Sequence, residues 1–190
     1  MTVIYDYLFP SMWFAYLIYW WVKPTNIKEA KRRESVPSRI VRLIFMLCAV
    51  ALLWLQNIPL ALLDERFIPP GVVCFWIGSA LTFGGLLFSI WARRHLGTNW
   101  SQAVTIMEGH QLITTGPYSL VRHPIYSGLL LGLIGTALAL GKWRGLLAVA
   151  LVLSVLWHKL RLEEKWMRVQ FGDSYDLYSR RVSALLPHVF

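Results

Sequence analysis

Charged residues are scarce in this chain of 190 residues: they make up 15% of it, whereas 56% of the residues are hydrophobic and the mean hydropathy is +0.50. Soluble domains usually carry about 25% charged residues. This shortage argues against an ordinary soluble domain. The length allows one domain, which we place over residues 1–190.

Cysteine is also rare, and metal-binding patterns are missing. The chain has two cysteines, Cys48 and Cys74, and both lie inside apolar runs. Such positions favour buried thiols over a disulfide. Neither a Cys-x-x-Cys nor a His-Glu-x-x-His pattern occurs, so the sequence predicts no metal site.

Long apolar runs are what the chain has instead. Five of them are long enough, or nearly so, to cross a hydrocarbon core about 30 Å thick, which needs ~20 helical residues. They cover residues 7–22, 40–63, 71–91, 125–140 and 143–160, and Pro59 should kink or end the second. We therefore predict an all-α, polytopic integral membrane protein with about five transmembrane helices.

The last part of the chain, 161–190, is predicted to form an amphipathic cytosolic helix. The segment from Glu163 to Val182 carries charges on one side, and a break is expected at Gly172. Trp166, Val169 and Tyr178 are expected to dip into the membrane interface. The tail should therefore lie along the membrane surface.

Basic residues orient the predicted spans. The loop after the first span carries seven Lys or Arg, the loop after the third carries three and the tail carries six, against three on the opposite face. Positive loops stay cytoplasmic, so we predict an external N-terminus and a cytoplasmic C-terminus, in the inner or plasma membrane of a bacterial source. Arg93 and Arg94 are interpreted as anchors of this kind, and His95 as an interface residue. Because these charges border membrane spans, a nucleic-acid partner is not expected.

A polar patch precedes the fourth span. Pro124 favours the first turn of a helix, which places Arg122 and His123 at its N-terminus, where unpaired backbone N–H groups favour an anion or a carboxylate. The pair Glu163-Glu164 follows the fifth span. The fourth and fifth spans should form a helical hairpin, so both features belong to the same face. The sequence thus predicts a site for a charged ligand there, with a cytosolic cofactor loop over 92–124.

The polar segments resemble a known family. The pattern is His110-x-Leu112-Ile113-Thr114-x-Gly116-x-Tyr118, then Arg122-His123-Pro124-x-Tyr126-x-Gly128, then Glu163-Glu164 with Phe171-Gly172-x-x-Tyr175-x-x-Tyr178 and Pro187. In order, spacing and flanking spans it resembles the isoprenylcysteine carboxyl methyltransferase family. The resemblance covers about the last half of the chain.

The resemblance implies a membrane methyltransferase that uses S-adenosylmethionine and takes a lipid-soluble or lipidated substrate from the bilayer. Carried over by motif position, it assigns a cofactor-binding role to His110, Gln111, Leu112, Ile113, Tyr118, His123, Pro124, Ile125, Tyr126, Glu163 and Glu164.

The substrate side of the resemblance departs from the family pattern. The family has an Arg four residues before the first Glu, where it holds the substrate carboxylate, whereas this chain has Lys159 there and Arg161 nearby. Lysine keeps the charge but loses the bidentate fork. Lys159 and Arg161 are the candidate substrate-positioning residues, and the acceptor is an amphipathic molecule, with a prenylcysteine-like carboxylate as one candidate.

Two other readings stay open at this point. Membrane sterol reductases have a similar Arg-His-Pro-x-Tyr segment but use NADPH, and they are expected to carry an Arg-Asp-x-x-Arg-Cys type segment where this chain has Glu163-Glu164. A non-catalytic lipid-binding membrane protein is the third reading.

Overall fold

The computed structural model describes residues 2–22, 36–55, 61–97 and 112–187. Over these residues the fold is all-helical, apart from one isolated bridge between Arg66 and Lys142. This part contains seven α-helices: α1 (Thr2–Val22), α2 (Val36–Trp54), α3 (Ala61–Asp64), α4 (Val72–Leu96), α5 (Pro124–Leu140), α6 (Trp143–Phe171) and α7 (Asp173–Arg181).

Three of these helices are long and apolar enough to cross a membrane: α2, α4 and α6. Helix α5 is apolar but has 17 residues, and α1 has 21 residues. The all-helical prediction is therefore confirmed, together with an integral membrane character. The predicted bounds of the second span are wrong, because the helix begins at Val36 and ends at Trp54, and the separate helix α3 follows. Pro59 lies outside the described residues.

Contacts along α1 show that it runs parallel to α4. The Phe9 ring lies 5.9 Å from the Phe75 ring near the start of α4. Further along, the hydroxyls of Tyr16 and Ser89 are 2.8 Å apart. The first helix thus ends at the same face of the bundle as α4.

Glycines allow α4 and α5 to pack backbone against backbone. A Cβ atom on Gly85 would lie 2.6 Å from the carbonyl oxygen of Gly128, and one on Gly78 would lie 2.5 Å from that of Gly135. The two helices therefore run antiparallel in direct contact, because small residues let helix axes approach closely.

Helices α5 and α6 form the predicted hairpin. Gly141 ends α5 with φ +67°, a left-handed conformation that suits glycine, and α6 begins at Trp143. At this end of the bundle Lys142 Nζ donates to Asp64 Oδ2 at 2.7 Å, and Arg144 donates to the carbonyl of Leu55 at the end of α2. We call this end the far face, and the opposite end, where α5 starts, the site face.

The tail differs from its prediction. Helix α6 continues eleven residues beyond the predicted span, to Phe171, and Gly172 (φ +51°) then separates it from α7, so the break is confirmed. Val169 is exposed as expected, but Trp166 and Tyr178 are buried within the protein. Those two aromatic side chains pack the tail against the bundle and do not face an interface.

Candidate active site

Two segments distant in sequence meet at the site face. His123 caps α5, with Pro124 in the first turn, and Glu163 and Glu164 lie near the end of α6. His123 Nδ1 lies 3.5 Å from Glu163 Oε2, and its Nε2 lies 3.4 Å from Glu164 Oε1. The hairpin therefore brings together the histidine and the acidic pair that the sequence placed at one face.

Tyr126 and Lys159 complete this group. The Tyr126 hydroxyl donates to Glu163 Oε1 at 2.5 Å, and its ring stacks on His123 with centroids 5.5 Å apart. Lys159 Nζ lies 3.7 Å from Glu163 Oε1 and 5.2 Å from the centre of the Tyr126 ring. We call His123, Tyr126, Lys159 and Glu163 the site cluster.

The charge on His123 follows from its neighbours. Burial favours the neutral imidazole, but the adjacent carboxylates of Glu163 and Glu164 favour the cation more strongly, so the pKa of His123 is raised above its usual value. Its Nε2 atom is buried and makes no hydrogen bond to any residue in the described part of the chain. This nitrogen lies 3.4 Å from Glu164 Oε1, so the Glu164 carboxylate is its ionic partner within the chain.

Arg122, next to His123, holds the tail in place. Its Nε and Nη2 atoms donate to Glu164 Oε1 at 2.8 and 2.6 Å, and its Nη1 donates to the carbonyls of Ser179 and Val182. We call residues 182–185 the tail strap. The sequence predicted a charged ligand near Arg122 at the start of α5. In the structure the anionic partner of Arg122 is Glu164, a residue of the same chain.

The tail strap also bonds the backbone before α5. The N–H of Arg122 donates to the Ser183 carbonyl at 2.8 Å, and the N–H of His123 donates to the Ala184 carbonyl at 3.0 Å. The backbone groups that were expected to be unpaired are therefore occupied by the tail. An anion therefore has no access to these two N–H groups.

Tyr118 lies in a 3-10 turn, Gly116–Ser119, between α4 and α5. Its carbonyl accepts a hydrogen bond of 2.6 Å from Tyr178 of α7, and burial raises the pKa of its phenol. The His95 ring stacks on Tyr118 with centroids 6.4 Å apart, and His95 Nε2 lies 2.9 Å from Thr115 Oγ1.

His95 was missed as a structural residue near the site, because nothing in the sequence pairs it with a turn twenty residues later. Gly116 is the residue of that turn whose glycine identity hints at the contact: its φ is +60°, and a Cβ there would lie 2.7 Å from the His95 ring.

Arg93 is buried, with its guanidinium 4.2 Å from the Trp20 ring. It ties α4 to α1 and is not an exposed anchor.

The remaining predicted residues divide into three groups. Leu112, Ile113 and Ile125 are half-buried, and Pro124 is buried, close in sequence to the site cluster. His110 and Gln111 lie outside the described residues. Arg161 is not brought to the site cluster: its guanidinium stacks on Trp157, one turn back on α6, at 4.7 Å, and both side chains are exposed.

Comparison with known proteins decides the family. Residues 73–174, more than half of the chain, match the family described as Phospholipid methyltransferase. The chain belongs to this family. The match covers α4, α5, α6 and the turn that carries Tyr118 and His123, and the family is one of methyltransferases, so the enzyme class expected from the sequence is confirmed.

Curated proteins similar to this chain include methyltransferases. The chain is 37% identical over 79 residues to the protein-S-isoprenylcysteine O-methyltransferase of Schizosaccharomyces pombe, and these residues make up 41% of this chain and 34% of that protein. It is 31% identical over 134 residues to a probable protein-S-isoprenylcysteine O-methyltransferase of Oryza sativa subsp. indica, which covers 67% of this chain and 70% of that one.

A third relative has a different name. The cobalt-zinc-cadmium resistance protein CzcN of Cupriavidus metallidurans is 34% identical over 87 residues, which cover 43% of this chain and 38% of that protein. The matched part thus spans about a third of the first and third relatives and more than two thirds of the rice protein. Similarity alone does not point to a single methyl acceptor.

Proposed function

We propose that this chain is an integral membrane enzyme that transfers a methyl group from S-adenosylmethionine to an amphipathic, lipid-soluble acceptor. The observation that carries the proposal is the site cluster, in which His123, Tyr126 and Glu163 come from two helices to one position at the site face.

The residues of the cluster fit the cofactor by their chemistry. Bound S-adenosylmethionine supplies an electrophilic methyl group on a sulfonium. The rings of Tyr118 and Tyr126 offer π faces to a cation, an interaction worth ~0.5–2 kcal/mol. The carboxylate of Glu163 can pair with an ammonium or accept from ribose hydroxyls, and His123 can donate to a carboxylate.

The other predicted residues would form the walls of this site. Leu112, Ile113, Pro124 and Ile125 supply apolar surface, and the resemblance adds His110 and Gln111. Direct displacement at a methyl carbon depends on close positioning and exclusion of water more than on proton transfer. The role of these side chains is to hold the reactants in line and to keep water out.

The surroundings of His123 favour one class of acceptor. A phenol or a protonated amine needs a base, but the carboxylates of Glu163 and Glu164 raise the pKa of His123 and so make its neutral, proton-accepting form less available. Glu164 is bonded twice to Arg122 and is not free to take a proton. The cluster is therefore suited to an acceptor that already reacts as an anion, such as a carboxylate.

Lys159 supports an anionic acceptor head. Its ammonium lies beside Tyr126 and Glu163 near the cytoplasmic end predicted for α6. The acceptor would keep its apolar tail in the bilayer while its head reaches this cation. A prenylcysteine-like carboxylate fits this description, as does another lipid-soluble acid.

Two assays test the proposal. Purified protein in detergent or nanodiscs is incubated with labelled S-adenosylmethionine and, separately, with labelled NADPH, and binding should be seen for the first. Labelled methyl transfer is then measured into a lipid extract, with and without a prenylcysteine analogue. Binding of NADPH in place of S-adenosylmethionine would support the reductase, and binding of neither would support the non-catalytic reading.

A further inference from the structure

The two neighbouring acids of α6 have different surroundings. The Glu163 side chain is 23% exposed and contacts members of the site cluster, His123, Tyr126 and Lys159. The Glu164 side chain is 3% exposed, and its closest partner is the Arg122 guanidinium. Of the two side chains, that of Glu163 is the more exposed.

Arg122 joins three parts of the protein through one guanidinium. It bonds α6 at Glu164, the end of α7 at the Ser179 carbonyl and the tail strap at the Val182 carbonyl. A planar guanidinium with five donors can satisfy all three at once, which a lysine ammonium cannot do in the same geometry. Arg168 Nη2 lies 3.8 Å from Glu164 on the other side, but its side chain is 47% exposed.

Arg122 and Glu164 are each next in sequence to a residue of the site cluster. Arg122 directly precedes His123, and the N–H groups of both bond the tail strap. Glu164 directly follows Glu163 on one helix. Fixing Arg122 against Glu164 therefore fixes the backbone from which His123 and Glu163 project, and with it the 3.5 Å contact between their side chains.

We propose that Arg122 and Glu164 are a positioning pair that holds His123 and Glu163 in register through the tail strap, and that Glu164 does not touch the cofactor. The cofactor part of this inference rests on the function proposed above. It divides the two acids, which the sequence resemblance had assigned to one role: Glu163 faces the ligand and Glu164 anchors the framework.

The test compares Glu163→Gln, Glu164→Gln and Arg122→Lys, with Arg180→Lys as the control because Arg180 is exposed on α7. Hydrogen exchange over residues 173–187 is measured without ligand, and S-adenosylmethionine affinity by calorimetry. Glu164→Gln and Arg122→Lys should speed exchange of this segment and raise the cofactor Kd by roughly 10-fold or more, the usual effect of losing a charge-assisted bond. Glu163→Gln should raise the Kd without changing exchange.

Two further measurements separate positioning from general instability. The Arg122→Lys/Glu164→Gln double variant should be little worse than either single variant, because the residues act as a unit. At saturating cofactor, the KM for a prenylcysteine analogue should stay unchanged in Glu164→Gln and Arg122→Lys, because neither residue is assigned to the acceptor. Ser127→Ala is a milder variant that removes the bond of 2.6 Å from Ser127 Oγ to the Leu185 carbonyl, and it should loosen the tail strap in the same direction.

The exchange and affinity results together decide whether Arg122 and Glu164 are a positioning pair. A raised Kd in Glu164→Gln with unchanged exchange would make Glu164 a direct ligand and overturn the positioning pair, as would unchanged exchange in both Glu164→Gln and Arg122→Lys. If the unaltered protein binds no S-adenosylmethionine, the proposed function fails, whereas the exchange measurements still test the Arg122–Glu164 framework.

Discussion

The Nδ1 atom of His123 lies 3.5 Å from the Glu163 carboxylate, although 40 positions separate the two residues. One precedes α5 and the other lies near the end of α6, so the contact depends on the turn at Gly141 and Lys142 that reverses the chain. An imidazole and a carboxylate thus meet at the end of a helical hairpin. This contact is the basis of the first two predictions.

Removing either partner should weaken cofactor binding. His123→Ala or Glu163→Ala is expected to cost ~1–3 kcal/mol of S-adenosylmethionine affinity, because each removes a charged hydrogen-bonding group from the ligand side. Calorimetry on folded protein measures the loss. Glu65→Ala, an exposed acid at the far face, is the control and should bind normally. An unchanged Kd in Glu163→Ala would count against this site.

Stability should depend on pH through His123. Its pKa is raised in the folded protein, so the stabilisation it contributes is fully present below the unfolded pKa of about 6.5 and is lost as the pH rises through the folded pKa. The difference in melting temperature between the unaltered protein and His123→Asn should therefore shrink from acid to alkaline pH.

The cause of this pH dependence is also testable. Glu163→Gln removes one of the two carboxylates that raise the pKa of His123, so the same difference should disappear at a lower pH in that background. An identical pH profile in the Glu163→Gln background would show that another group is responsible.

Lys159 and Arg161 should differ in their effects on turnover. Lys159→Ala is expected to depress kcat/KM for an acidic acceptor and leave cofactor affinity nearly intact, whereas Lys159→Arg should preserve or raise turnover because a guanidinium fork suits a carboxylate. Arg161→Ala is the matched control, since Arg161 stacks on exposed Trp157. Normal kinetics in Lys159→Ala with several acidic lipids would point to a neutral acceptor.

Two neighbouring glycines of α4 should respond differently to a methyl group. Gly85→Ala places a Cβ 2.6 Å from the Gly128 carbonyl, so it should destabilise the protein by roughly 1–3 kcal/mol, as overpacking does. A Cβ on Gly84 meets no atom within 4 Å, so Gly84→Ala should be neutral or slightly stabilising. Thermal unfolding in detergent compares the pair, and equal melting temperatures would contradict the close α4–α5 contact.

Reporter fusions at the two ends should report opposite sides of the membrane. Within the described residues α1 starts at the far face, while the tail strap lies at the site face. Sixteen basic residues are predicted on one side against three on the other, so we expect the site face to lie in the cytoplasm. Two cytosolic reporters would mean an even number of crossings and overturn the five-span prediction.

Apolar length predicted the presence of the long helices better than it predicted their ends. The fifth span was predicted to end at residue 160, yet α6 continues to Phe171, and Glu164 and Trp166 in this extension are buried within the protein. An apolar composition predicts which part of a helix can contact lipid, but it does not predict how far the helix continues alongside other parts of the protein. Gly172, by contrast, was predictable as the break, because its positive φ is a local property of glycine.

Some contacts of the site could be predicted from the sequence and others could not. His123, Tyr126 and Glu163 were identifiable by type and order, and the hairpin made their meeting predictable. The bonds from Arg122 to the carbonyls of Ser179 and Ser183 were not predictable, because they depend on how the tail folds back over 57 and 61 positions. Neither the hydrophobic periodicity nor the motifs predict that the C-terminal tail packs back against the start of α5.

Helix α6 is one unbroken rod of 29 residues, about 43 Å long at 1.5 Å per residue. Its first turn is held by Asp64 and Leu55 at the far face, and its last turns carry Glu163 and Glu164. No hinge lies between the two ends, so the height of these carboxylates above the lipid is set by residue count. For the amphipathic acceptor proposed above, the length of α6 therefore sets how far the head must reach from the hydrocarbon that holds its tail.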